Sequence, residues 1–131
     1  MTQEQKDLLF RDLCGRLPYE IKVQVFNYGI ETVETLYQID LDGYISTIEG
    51  DDDEFKYFYK PYLFPMSSMT LEQKTELNDT LIQLELKAIN NEIEHCKVAE
   101  FEIDFYNKNM FDYRGLIDKE LALDATNKNI Y

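Results

Sequence analysis

Hydrophobic residues recur at two different periods along this chain, and the switches between them confine it to a mixed fold. Leu9, Phe10, Leu13 and Leu17 form an apolar stripe at helical spacing. Ahead of them Thr2 and Gln5 have capping-box spacing, so the hydroxyl can accept an amide proton while the glutamine reaches back. Gly15 and Pro18 are expected to stop this helix. From Glu20 the period drops to two. Ile21, Val23 and Val25 alternate with Lys22, Gln24 and Phe26, and a turn is expected at Asn27-Tyr28-Gly29. Val33, Thr35, Tyr37 and Ile39 are expected to share one face of a second strand. Asp42-Gly43 signals a hairpin into a third strand, Tyr44 to Ile48. Phe55 to Tyr59 reads as a fourth, ending at Pro61.

The helical period then returns. Thr70 and Gln73 repeat the capping-box spacing. Behind them run Leu77, Leu81, Leu84 and Ala88, with Ile82, Leu86, Ile89 and Ile93 alongside, a stripe wide enough to face two neighbours. The segment Glu100 to Lys108 is open: Phe101, Ile103 and Phe105 alternate as a strand would, yet Val98, Phe101 and Phe105 also fit a helix. Leu116 to Leu123 reads as a short helix opened by Arg114-Gly115. The expectation is an α+β domain over residues 1–125. It has an N-terminal helix, a three- to four-stranded antiparallel meander from Glu20 to about Tyr59, and a helical C-terminal half whose Leu71–Ile93 helix covers the sheet. Leu13, Val23, Val25, Tyr37, Leu77, Leu81 and Leu84 are the expected buried positions, and residues 126–131 form a polar tail expected to fray.

Three stretches carry a family resemblance: Asp12-Leu13-Cys14-Gly15-Arg16-Leu17-Pro18-Tyr19, Lys60-Pro61-Tyr62-Leu63-Phe64-Pro65-Met66-Ser67-Ser68-Met69-Thr70, and Phe111-Asp112-Tyr113-Arg114-Gly115-Leu116-Ile117-Asp118-Lys119. In this order they resemble a set of small uncharacterised proteins from phages, prophages and mobile elements of gut Bacteroidota. The resemblance implies an α+β domain, a phage-related setting and a helix before Phe111. It brings no functional residues with it.

Charge narrows the function classes. Of 131 residues, 26 are acidic and 13 basic, for a net charge of −13. Such a chain repels nucleic acid and anionic membrane and attracts basic partners. No run approaches a membrane span, and the polar N-terminus has no signal core, so the expected location is the cytoplasm of a bacterial host. Cys14 and Cys96 are expected as free, buried thiols there.

No constellation reads as catalytic, cofactor-binding or metal-ligating. Asp51-Asp52-Asp53-Glu54 lacks the alternating ligands, central glycine and later glutamate of a calcium loop. His95 and Cys96 are neighbours, and adjacent helical residues point apart. One histidine and two cysteines fall short of a structural zinc set. Ser67, Ser68 and Thr70 read as caps, and Arg114 as an ion pair with Asp112 or Asp118. The expected function is therefore non-enzymatic: a phage or mobile-element protein that binds a basic host protein. A nucleic-acid-binding defence factor would fit, the acids then mimicking nucleic acid in an anti-CRISPR or anti-restriction inhibitor. The alternatives are an acidic interaction module without mimicry, or an unrecognised metal-dependent hydrolase. Asp51, Asp52, Asp53, Glu54, Tyr62, Phe64 and Met66 are the candidate partner-binding residues, with no direct nucleic-acid or membrane contact and no cofactor.

Overall fold

A computed structural model of the protein describes residues 1–27, 29–42, 44–49 and 58–131. Helix α1 (Gln3–Arg16) starts at the Thr2/Gln5 capping box, both reciprocal bonds being present. Gly15 does not end it. The helix runs through Gly15 and tightens into a 3-10 turn at Leu17–Tyr19, with Pro18 inside that turn. Glu20 then turns the chain in a left-handed conformation (φ 59°).

Strands β1 (Lys22–Asn27), β2 (Ile30–Ile39) and β3 (Ile45–Thr47) form the expected antiparallel meander. Gly29 takes φ 79° at the first turn, the region a glycine enters without strain. At the second turn the Asp40 carboxylate accepts from the amides of Asp42 and Tyr44. Strand β4 (Phe58–Leu63) lies beside β1, on the side away from β2, and β5 (Leu123–Asp124) runs parallel to it. The five-stranded order is β3-β2-β1-β4-β5, so the domain is α+β with a mostly antiparallel sheet. The fourth strand passes through Pro61, and the apolar stretch after it is no surface loop. Tyr62, Leu63 and Met69 are buried.

The one-face expectation for β2 fails at a bulge. Its register against β3 shifts between Leu36 and Gln38: Leu36 faces Thr47, and Ile39 faces Ile45. The extra residue, Tyr37, brings Leu36 and Ile39 to the core together and is itself left 57% exposed. Val33 is also exposed.

Helix α2 (Leu71–Ile89) opens at the Thr70/Gln73 capping box and packs on α3 (Cys96–Lys108). It does not cover the sheet. Leu9 and Leu13 of α1, with Met110, Leu116, Leu121 and Ala122, close that face over Val23, Val25, Leu36 and Ile45. A second cluster, Met69, Leu77, Phe105 and Phe111, holds α2 against α3, with Leu81 partly buried there. Leu84 is half-buried. Phe64 packs on both clusters.

Residues 100–108 are helical. The strand-like alternation is overridden because Phe101 and Phe105, one turn apart, both face the second cluster. The helix ends with Met110 left-handed (φ 59°), Phe111 N–H bonded to the Tyr106 carbonyl and Met110 N–H to the Asn107 carbonyl, a Schellman closure. The expected helix at 116–123 is only one turn. The Leu121 amide closes it back onto the Leu116 carbonyl, Glu120 is left-handed, and β5 follows. The 126–131 segment returns to the sheet instead of fraying: the Tyr131 hydroxyl accepts from Lys22 N–H and donates to the Tyr62 carbonyl, and its ring packs on Phe64.

Replacing Thr70 with alanine removes one acceptor from the first turn of α2 and should cost about 1 kcal/mol. Urea unfolding of Thr70→Ala beside the parent chain measures this.

Candidate functional site

The three resembling stretches converge on one buried cluster of charge. Asp12 and Arg16 sit one turn apart on α1, next to the Leu9/Leu13 stripe, so the core that buries those leucines takes both in completely. Arg16 Nε donates to Asp12 Oδ2 at 2.9 Å and Nη2 to Oδ1 at 3.2 Å, a forked pair. The remaining donors reach across the fold. Nη2 donates to the Phe111 carbonyl at 2.6 Å and Nη1 to the Tyr106 carbonyl at 3.4 Å, so a cation caps the C-terminal end of α3.

Around this pair the 111–117 segment is wrapped tightly. Arg114 Nε lies 3.3 Å from Asp12 Oδ1, so its ion-pair partner is Asp12 and neither Asp112 nor Asp118. Asp112 accepts instead from the amides of Leu116 and Ile117 and caps that turn. The Tyr113 ring centroid lies 5.4 Å from the guanidinium carbon of Arg16 and 4.9 Å from that of Arg114, and the ring stacks on Tyr106 at 5.5 Å. Phe64 joins by exchanging backbone bonds with Met110 and Asp112. Gly15 is explained here as well. A methyl group on it would lie 3.1 Å from Asn107 Nδ2, so its absence lets α3 approach α1. The cluster is a structural joint, since its carboxylates are consumed by fixed partners.

The third buried acid among the described residues is likewise engaged: the Glu34 carboxylate accepts from the hydroxyls of Thr32 and Thr47. Among the described residues no three His, Cys, Asp or Glu side chains come together as a metal-ligating group. Cys14 and Cys96 are free as expected but exposed, where burial was expected. An open cavity of about 740 Å³ lies between the first turns of α1, the β2–β3 turn and the ends of β1 and β4. Phe10, Phe26, Leu41 and Tyr44 supply its apolar lining, and Lys6 and Lys60 are balanced by Asp7 and Asp42.

Of the residues singled out from sequence, Asp51, Asp52, Asp53 and Glu54 lie outside the described residues. Tyr62 is buried in the sheet, while Phe64 and Met66 are half-buried against the second cluster. Ser68 bonds the Pro65 carbonyl and Thr70 caps α2. The Asp12–Arg16 pair is not among the residues singled out from sequence, although its i,i+4 acid–base spacing beside an apolar stripe is the signal that marks it. An exposed apolar stripe runs along α2, where Ile82, Leu86 and Ile89 look outward.

Truncating Asp12 to alanine strands a buried guanidinium and should destabilise the fold by about 3–5 kcal/mol, whereas the paired replacement Asp12→Leu with Arg16→Met should cost much less. Denaturant melts of both variants check the difference. A second outcome concerns alkali. Burial, and then the bond Tyr106 donates to Glu102, push the Tyr106 phenol up to about 12. The folded chain therefore holds this proton after the unfolded chain has lost it. The associated stability is full below the ordinary phenol value of 10.0 and is lost as pH rises from there through about 12. Melts across that window should show a shallower loss for Tyr106→Phe than for the parent.

No protein-family model, no curated protein and no solved structure matches this chain.

Proposed function

We propose that this chain is a non-enzymatic binding domain whose acids engage a basic protein surface. The carrying observation is the division of its carboxylates. Among the described residues the buried ones, Asp12, Glu34 and Asp112, are each held by fixed partners, an arrangement that serves folding rather than proton transfer. Acids on the helices and turns face solvent: Glu4 and Asp7 on α1, Asp40 and Asp42 at the β2–β3 turn, Glu72, Glu76, Asp79 and Glu85 on α2, Glu100 and Asp104 on α3. A surface charged in this way speeds encounter with a basic partner and makes the complex sensitive to salt.

The narrower form of the proposal follows the phage resemblance. The partner is then a nucleic-acid-binding factor in the cytoplasm of a bacterial host, and the domain is an anti-defence inhibitor of anti-CRISPR or anti-restriction type. No helix among the described residues is long and apolar enough to cross a membrane, which fits a partner met in the aqueous phase. Acids spread over several elements favour the plain interaction module, and mimicry needs them on one continuous face.

Affinity capture from a bacterial lysate tests the proposal. A basic nucleic-acid-binding protein should be retained at low salt and released at high salt. Reversing Asp51, Asp52, Asp53 and Glu54 to lysine should weaken capture chiefly by slowing association. Salt-independent retention that survives the reversal would leave the charge without a binding role.

A further inference from the structure

We infer that the outer face of α2 is the docking site for a basic amphipathic helix, an inference that rests on the acidic-binder reading and gives it a surface. Helix α2 has two apolar faces. Leu77 and Ala88 are buried, and Leu81 packs on the α3 cluster. On another face Ile82, Leu86 and Ile89 stand at i, i+4 and i+7 and are 56%, 56% and 69% exposed. This is the spacing by which one helix offers anchors to another.

Charge selects the occupant. Asp79 and Glu85 lie three residues before and three after Ile82, which places them on opposite flanks of the stripe. Both are exposed. Lysines on the edges of an incoming helix would meet these two carboxylates while its leucines cover Ile82, Leu86 and Ile89. A second copy of this chain brings the same acids to the same flanks, and each copy carries a net charge of −13, so self-pairing places like charges together. An anionic membrane is repelled for the same reason.

The probe is a synthetic leucine/lysine peptide patterned as an amphipathic helix. It is compared with a leucine/glutamate peptide of the same pattern and with a scrambled leucine/lysine peptide. Calorimetric titration of the full chain should show binding of the first alone. The variant Ile82→Ser/Leu86→Ser/Ile89→Ser should bind it roughly tenfold or more weakly, three apolar anchors being lost. Circular dichroism checks that the variant is folded. If it is not, Leu86→Ser alone is used and should still weaken binding measurably. The inference is overturned if the patterned and scrambled lysine peptides bind alike, if the glutamate peptide binds as well, or if the serine variant matches the parent. A parent that sediments as a dimer while the variant sediments as a monomer overturns it in favour of a second copy. Failure here with salt-sensitive lysate capture intact removes only the docking face. Loss of that capture removes the acidic-binder reading itself.

Discussion

The joint between the two halves of this domain is a guanidinium group with no access to water. Arg16 is fully buried, and each packing of α1 has to supply it with a carboxylate and carbonyls or leave a charge stranded. The observed packing supplies Asp12 from its own helix and two carbonyls from the end of α3 and the chain after it. An apolar plug could hold the halves with equal strength. It would not discriminate as sharply between this docking angle and a neighbouring one, because oily contacts tolerate sliding whereas an unpaired buried ion does not. Tyr113, Arg114 and Gly15 follow from this choice. The first two surround the pair, and the third lets the helices approach closely enough to make it.

Features governed by local chemistry were legible in the chain. Both capping boxes form where Thr2/Gln5 and Thr70/Gln73 announce them, and the β1–β2 and β2–β3 hairpins turn where Gly29 and Asp42 mark them. What misled were positions where a distant contact outweighs the local pattern. Gly15 looks like a helix stop because glycine is a poor helix former, but its purpose is set by Asn107, far along the sequence. Tyr37 was assigned to the core by strict alternation, but the pairing of Val23 with Glu34 turns the Val33 and Tyr37 side of β2 outward, and the bulge returns only Ile39 to the core. Residues 100–108 satisfy two periods at once, and the aromatic cluster around Phe111 decides for the helix. The short helix expected after Gly115 is cut off by the return to β4. The candidate site was the least legible part. The apolar density of Pro61 to Met69 reads either as packing over the sheet and helices or as an interface, and the structure takes the first course, with Tyr62 and Leu63 buried in the sheet and Phe64 and Met66 against the second cluster.

The two apolar clusters also explain why α2 carries an outward stripe. The apolar face of the sheet is already closed by α1 and the 110–122 segment, so α2 packs on α3 instead. One side of the helix is used on α3, and the other side remains at the surface amid acids. An apolar strip bordered by charge stays dispersed in an acidic protein because every copy repels the next.

The reach of Arg16 has a consequence in time. Its two carbonyl partners lie 90 and 95 residues further along the chain. During synthesis α1 emerges before either partner, with its arginine and aspartate still in water and its leucines unpaired. At ordinary elongation rates the ribosome needs roughly 5–20 s to deliver the residues that complete the joint. Over that interval α1 is an amphipathic segment without its core, and it is then that a chaperone would meet it.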